Sequence, residues 1–280
     1  MSQLSPLALA VTVSLGLASA PTLARTQASA QPAAQPTYAD LVDLADGAPL
    51  VVRAEIRRQT TVSPERVASI APGHARLYIE ARTGAVITGV PLGEELRYLV
   101  DVPLDAKGRV PKLRKREVLL FAKSVPGRPG EVQLVGPDAQ LPYTPELEAR
   151  LRPILSAFAA GDVPPAVTGI RDALSIEGAL VGESETQVFL DTVDGRPASL
   201  TIVRRPGQAP RWGVSFSEIV DQSARPPGPG TLGWYRLACG LPDTLPADAT
   251  LSDDAADRAR AARDYALVRE QLGECRRNRS

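Results

Sequence analysis

Between Leu50 and Val135 the chain switches repeatedly from short alternating apolar runs to segments broken by proline, glycine or aspartate. That rhythm leaves little room for anything but a small antiparallel sheet. The runs at 50–61, 75–88, 96–102, 118–122 and 131–135 read as strands. In Leu77-Tyr78-Ile79-Glu80-Ala81 and Leu96-Arg97-Tyr98-Leu99-Val100-Asp101-Val102 apolar residues mostly alternate with polar ones, so one face is buried and the other is wet. Five such strands in about 90 residues predict a small antiparallel β-barrel of OB-like size over 37–142.

Helices flank this unit. Thr37 and Asp40 form a capping box for a helix over 38–46 that stops at Gly47. Thr144 as N-cap, Pro145 at the first position and Glu146 and Glu148 near the positive end open a second helix. Leu147, Leu151, Ile154, Leu155 and Phe158 line one face of it, and Pro153 predicts a kink or an early stop. A short helix over 169–176 then leads to strands at 186–192, 198–204 and 212–220, with Asp194-Gly195 as a tight hairpin turn between the first two. Trp212 and Trp234 sit in apolar, strand-like segments and are expected in the core. A final helix over 253–272, capped by Ser252, carries Ala261, Tyr265, Val268, Leu272 and Cys275 in one stripe. The expected fold class is α+β, mainly β. The OB-like barrel is followed, over 143–280, by a second antiparallel β-meander with flanking helices and a C-terminal helix, the boundary falling near 142–165.

Residues 1–24 read as a secretory signal peptide: a charge-free start, an apolar run from Leu7 to Ala18, and small-residue cleavage sites after Ala20, Ala24 or Ala30. The basic residue usual before such a run is missing, the first being Arg25. The run is shorter than the ~20 residues a spanning helix needs, so no transmembrane segment is expected in the mature chain, and 25–36 is a flexible Ala/Gln/Pro/Ser linker. This places the protein in the periplasm or outside the cell. In such a compartment Cys239 and Cys275, 36 positions apart, are expected to form a disulfide.

Chemistry is legible mainly by exclusion. Acidic and basic residues balance at 32 each, so no global field favours nucleic acid, and no nucleic-acid partner is expected. His74 is the single histidine, which speaks against a protein-only zinc site. Neither a Gly-x-Ser-x-Gly elbow nor a phosphate-binding glycine loop occurs, and no metal or other cofactor is expected. Glu183, Glu185, Asp191, Asp194, Glu218 and Asp221 leave room for a pair of carboxylates meeting across a cleft, yet aromatic platforms are scarce at 4% of residues. The positive feature is a cluster, Lys107, Arg109, Lys112, Arg114, Lys115 and Arg116, between the third and fourth strands, which can hold an anion electrostatically. The expectation is an exported, non-catalytic binding or interaction module whose partner is an envelope protein or an anionic ligand. The alternative is a carboxylate-dependent hydrolase acting in the cell envelope.

Overall fold

Helix α1 (Tyr38–Asp46) begins at the capping box: the Asp40 N–H donates to the Thr37 hydroxyl at 3.1 Å and the Thr37 N–H to the Asp40 carboxylate at 2.7 Å. The computed structural model describes residues 35–63, 65, 69–218 and 224–279; the leader 1–24, most of the linker and Asp221 lie outside the described residues. After α1 come β1 (Leu50–Thr61), β2 (His74–Thr88), β3 (Glu95–Pro103), β4 (Glu117–Ser124), β5 (Val132–Leu134) and β6 (Gln140–Pro142). They form one antiparallel sheet in the order β3-β2-β1-β4-β5, with β6 beside β5 on the same side of β4. A single parallel bridge joins Arg97 of β3 to Glu131, where the Arg97 N–H donates to the Gly130 carbonyl at 2.8 Å.

The two faces of this sheet are buried for different reasons. Ile56, Leu77, Ile79, Leu96, Tyr98 and Leu120 point into one cluster of buried residues from the sheet. Val51, Leu119 and Phe121 point the other way, against α1 and α2 (Pro145–Ala159). Strand β4 is buried on both faces, which is why its sequence is a continuous Val-Leu-Leu-Phe-Ala run instead of an alternation. Helix α2 starts at Thr144, whose hydroxyl accepts the Leu147 N–H at 3.1 Å. It does not stop early at Pro153 but runs on to Ala159, because Leu151 and Ile154 on either side are anchored in the core.

Strands β7 (Val167–Glu177), β8 (Ser184–Thr192), β9 (Ser199–Arg204) and β10 (Arg211–Ser215) form a four-stranded antiparallel meander in the order β10-β9-β8-β7. The short helix expected over 169–176 is therefore corrected to strand β7. Tertiary pairing with β8 overrides the local pattern there, and inward-facing Ala173 and Ser175 are small. The segment after the Pro/Gly linker is helix α3 (Leu232–Gly240), capped by the Thr231 hydroxyl, so Trp234 lies on a helix and not on a strand. The last helix, α4 (Ala255–Leu272), is capped by Asp254 and not by Ser252: the Asp254 carboxylate accepts the Ala256 and Asp257 N–H groups at 2.7 and 3.0 Å. Of its buried stripe, Ala261, Tyr265, Val268 and Leu272, the last three cover one face of the second sheet together with Leu237 and Ala238 of α3. No helix among the described residues is long and apolar enough to cross a membrane.

Beyond α4 the chain turns at Gly273 (φ 70°) and returns across α1. Arg277 Nε donates to Asp43 at 2.7 Å, the Asn278 and Arg279 N–H groups donate to the Asp40 carboxylate, and Arg279 pairs with Asp138 at 2.8 Å.

Candidate functional site

The basic cluster lies on the connection 104–116 between β3 and β4, and this connection is pinned at several points. Its first turn is organised by Asp105, which accepts the Lys107 and Arg109 N–H groups at 2.8 and 2.9 Å and pairs with the Arg109 guanidinium. The Arg109 backbone N–H, then its side chain, hold the Asp105 carboxyl below the usual carboxylate range. Val110 and Leu113, both partly buried, pack against the buried cluster of the first sheet. The Gln59 side-chain amide grips the connection from β1, donating to the Pro111 carbonyl at 2.9 Å and accepting the Leu113 N–H at 2.6 Å. The Lys115 N–H donates to the Ile56 carbonyl and the Ile56 N–H to the Arg116 carbonyl.

The consequence is a held backbone with free charges. Lys107, Arg109, Lys112, Arg114, Lys115 and Arg116 are all exposed, and among the described residues only Arg109 of the six has an ion-pair partner. The neighbouring outer face of β1, β2 and β3 is different: Arg58 pairs with Glu80, and Arg57 and Arg82 both pair with Glu55, so most of its charge is neutralised internally.

A second feature, which no sequence motif announces, is a groove of about 770 Å³ on the face of the second sheet turned away from α4. Registers across the four strands set its floor in two rows: Ile176, Glu185, Val203 and Arg211, then Leu174, Gln187, Thr201 and Gly213. Gly213 is needed there because a Cβ would stand 2.2 Å from the backbone of Ala224, which forms the wall beyond β10. Finding this groove requires knowing that 167–177 is a strand.

The remaining candidates are spread out. Glu183 and Glu185 line the groove, while Asp194 sits at the opposite end of β8 against Arg196 at 2.8 Å. Asp191 and Glu218 are exposed, and Asp221 lies outside the described residues. His74 is exposed, its Nδ1 3.1 Å from the Pro72 carbonyl, and no group of histidine, cysteine and acidic side chains among the described residues is arranged to hold a metal ion. Cys239, on α3, and Cys275, beyond α4, are joined with an S–S distance of 1.98 Å. The chain matches no protein-family model and no curated protein sequence.

Proposed function

We propose that this chain is an exported binding module, working in the periplasm or outside the cell after loss of residues 1–24, that holds an anionic ligand or an acidic surface of an envelope protein on its basic connection. The observation that carries the reading is the exposure of Lys107, Lys112, Arg114, Lys115 and Arg116, without ion-pair partners among the described residues, on a backbone fixed by Gln59 and by the partly buried Val110 and Leu113. A backbone already held in place loses little freedom on binding. We read the first sheet as a partly open OB-like barrel, supported by the order β3-β2-β1-β4-β5 and by the parallel bridge from Arg97 to Glu131. Barrels of that kind present loops and one outer face to ligands. The disulfide supports the compartment, since such bonds persist where the surroundings are oxidising.

The alternative, a carboxylate-dependent hydrolase, draws on Glu183 and Glu185 lining one groove. Both carboxylates are already engaged locally. Glu183 accepts the Leu180 N–H in the β7–β8 turn at 3.3 Å, and Glu185 accepts the Gln187 side-chain amide at 2.9 Å. Binding is therefore the better-supported reading. Its test is retention on immobilised heparin. Replacing Lys112, Arg114, Lys115 and Arg116 together by alanine is expected to abolish retention with the thermal midpoint unchanged. Retention at the wild-type salt concentration would overturn the proposal.

A further inference from the structure

We infer that the groove on the second sheet is a separate binding site, for a short peptide with free amino and carboxyl ends. The charges around it are sorted by strand. Glu185 of β8, with Glu183 close by, stands on one side, and Arg211 of β10, with Arg205, stands on the other. No ion pair among the described residues engages Glu183, Glu185, Arg205 or Arg211, and the hydrogen bonds that Glu183 and Glu185 accept come from the neutral Leu180 N–H and Gln187 amide, so neither sign is neutralised among the described residues. An anion alone would meet the glutamates, a cation alone would meet the arginines, and an apolar ligand would strip water from both at a cost. The occupant that satisfies the groove carries a positive and a negative group at its two ends.

The spacing sets the size. Glu185 and Arg211 share one cross-strand row, separated by β9. Two strand spacings amount to roughly 10 Å, which is close to the length of an extended tripeptide at about 3.3–3.6 Å per residue. The floor between them suits a peptide backbone. Leu174 and Val203 offer apolar contact. Gln187, whose amide nitrogen already donates to Glu185, keeps its oxygen to accept a peptide N–H. The Thr201 hydroxyl has no hydrogen-bond partner among the described residues and lies beside Gln187 in the next strand. At about 770 Å³ the groove is within the range of small-molecule sites. In this arrangement the ammonium end sits at Glu185, the carboxylate end at Arg211, and the peptide crosses the strands against the Ala224 wall.

The experiment is calorimetric titration of the full mature chain with trialanine, N-acetyl-trialanine and trialanine amide, at concentrations up to about 10 mM, where binding in the millimolar range is still measurable. Trialanine is expected to bind saturably, and each cap to weaken it by roughly tenfold or more because a charge-assisted contact is lost. Glu185→Gln should lower affinity for trialanine while leaving N-acetyl-trialanine unaffected, and Arg211→Gln should do the same with respect to the amide. Absence of saturable binding, equal binding of the capped peptides, or wild-type affinity in both variants would each overturn the inference. The capping arms use the unaltered protein, so they hold even if a variant fails to fold. The basic connection is untouched throughout, so this outcome is independent of the heparin result.

Discussion

Asp264 has no exposed surface, although it sits on the most highly charged helix of the chain. Its Oδ1 accepts Arg204 Nε from β9 at 2.5 Å and its Oδ2 accepts the Thr186 hydroxyl from β8. Having one proton, Thr186 gives it to the carboxylate and accepts from Ser175 of β7 across a 2.8 Å contact. One side chain thus ties α4 to three strands. Asp264→Ala leaves the buried Thr186 hydroxyl and the half-buried Arg204 guanidinium without their acceptor, a loss of about 3 kcal/mol read from the urea midpoint at unchanged slope. Arg204→Met should cost at least as much, because it leaves a carboxylate in the core with one donor. Replacing both residues by apolar ones of similar size should recover much of the loss; single-variant losses within about 0.5 kcal/mol, the range of ordinary surface changes, would show that the network contributes nothing. None of this is legible in the sequence. Asp264 adjoins Tyr265 in a run of arginines and aspartates that reads as a solvated face, and its role emerges only when Arg204, 60 positions away, is placed beside it.

At the scale of elements, the parts fixed by local chemistry are readable and those fixed by pairing are not. The Thr37 and Asp40 box and the Thr144 cap each need only a few adjacent residues, and each is found where the sequence puts it, whereas the tight turn expected at Asp194-Gly195 is a longer link over 193–198. Strand β7 is hidden because Ile170, Ala173 and Leu174 fall at helical spacing, while its strand character comes from the neighbouring β8 and from Ala173 and Ser175 facing α4. With β7 read as a helix, neither row of the groove is visible. Helix α3 is obscured by its apolar, strand-like composition although Thr231 is a good cap, and its packing depends on a glycine. A Cβ on Gly240 would stand 2.4 Å from the Val167 carbonyl oxygen and 3.2 Å from its carbon, both backbone atoms that cannot swing aside. Alanine is favoured over glycine by about 1 kcal/mol in a helix interior, but here the clash decides the sign. Gly240→Ala is expected to lose about 1–3 kcal/mol in denaturant unfolding; a stability gain would show that α3 can move off β7.

At the scale of the molecule, the two ends of the described chain are fastened together, and the fastening combines a covalent and a titratable part. The disulfide ties Cys275 to α3, and the tail beyond it lies on α1 through Arg277 and Asp43. Burial raises the Asp43 pKa, but hydrogen bonds from Arg277 and Tyr235, and the charges of Arg277 and Arg236, outweigh it and hold the carboxyl below its ordinary 3.8. Burial, then Asp43, push the Tyr235 hydroxyl up to about 12. A carboxyl depressed in the folded state contributes stability that is fully present above the unfolded value and is lost as pH falls through the folded one. The tail contact should therefore be intact at neutral pH and weaken from about pH 4 downward, by no more than about 1 kcal/mol because the pair is more than a third exposed. Two variants separate the parts. Replacing both cysteines by serine should cost about 2–4 kcal/mol at pH 7 and leave the acid-induced fall in place. Arg277→Met should cost little at pH 7 but make the fall between pH 5 and 3 shallower than in the wild type, since Asp43 then has less reason to stay ionised when folded. Equal falls in wild type and Arg277→Met, read from urea midpoints at the two pH values, would mean that the covalent bond alone fixes the tail.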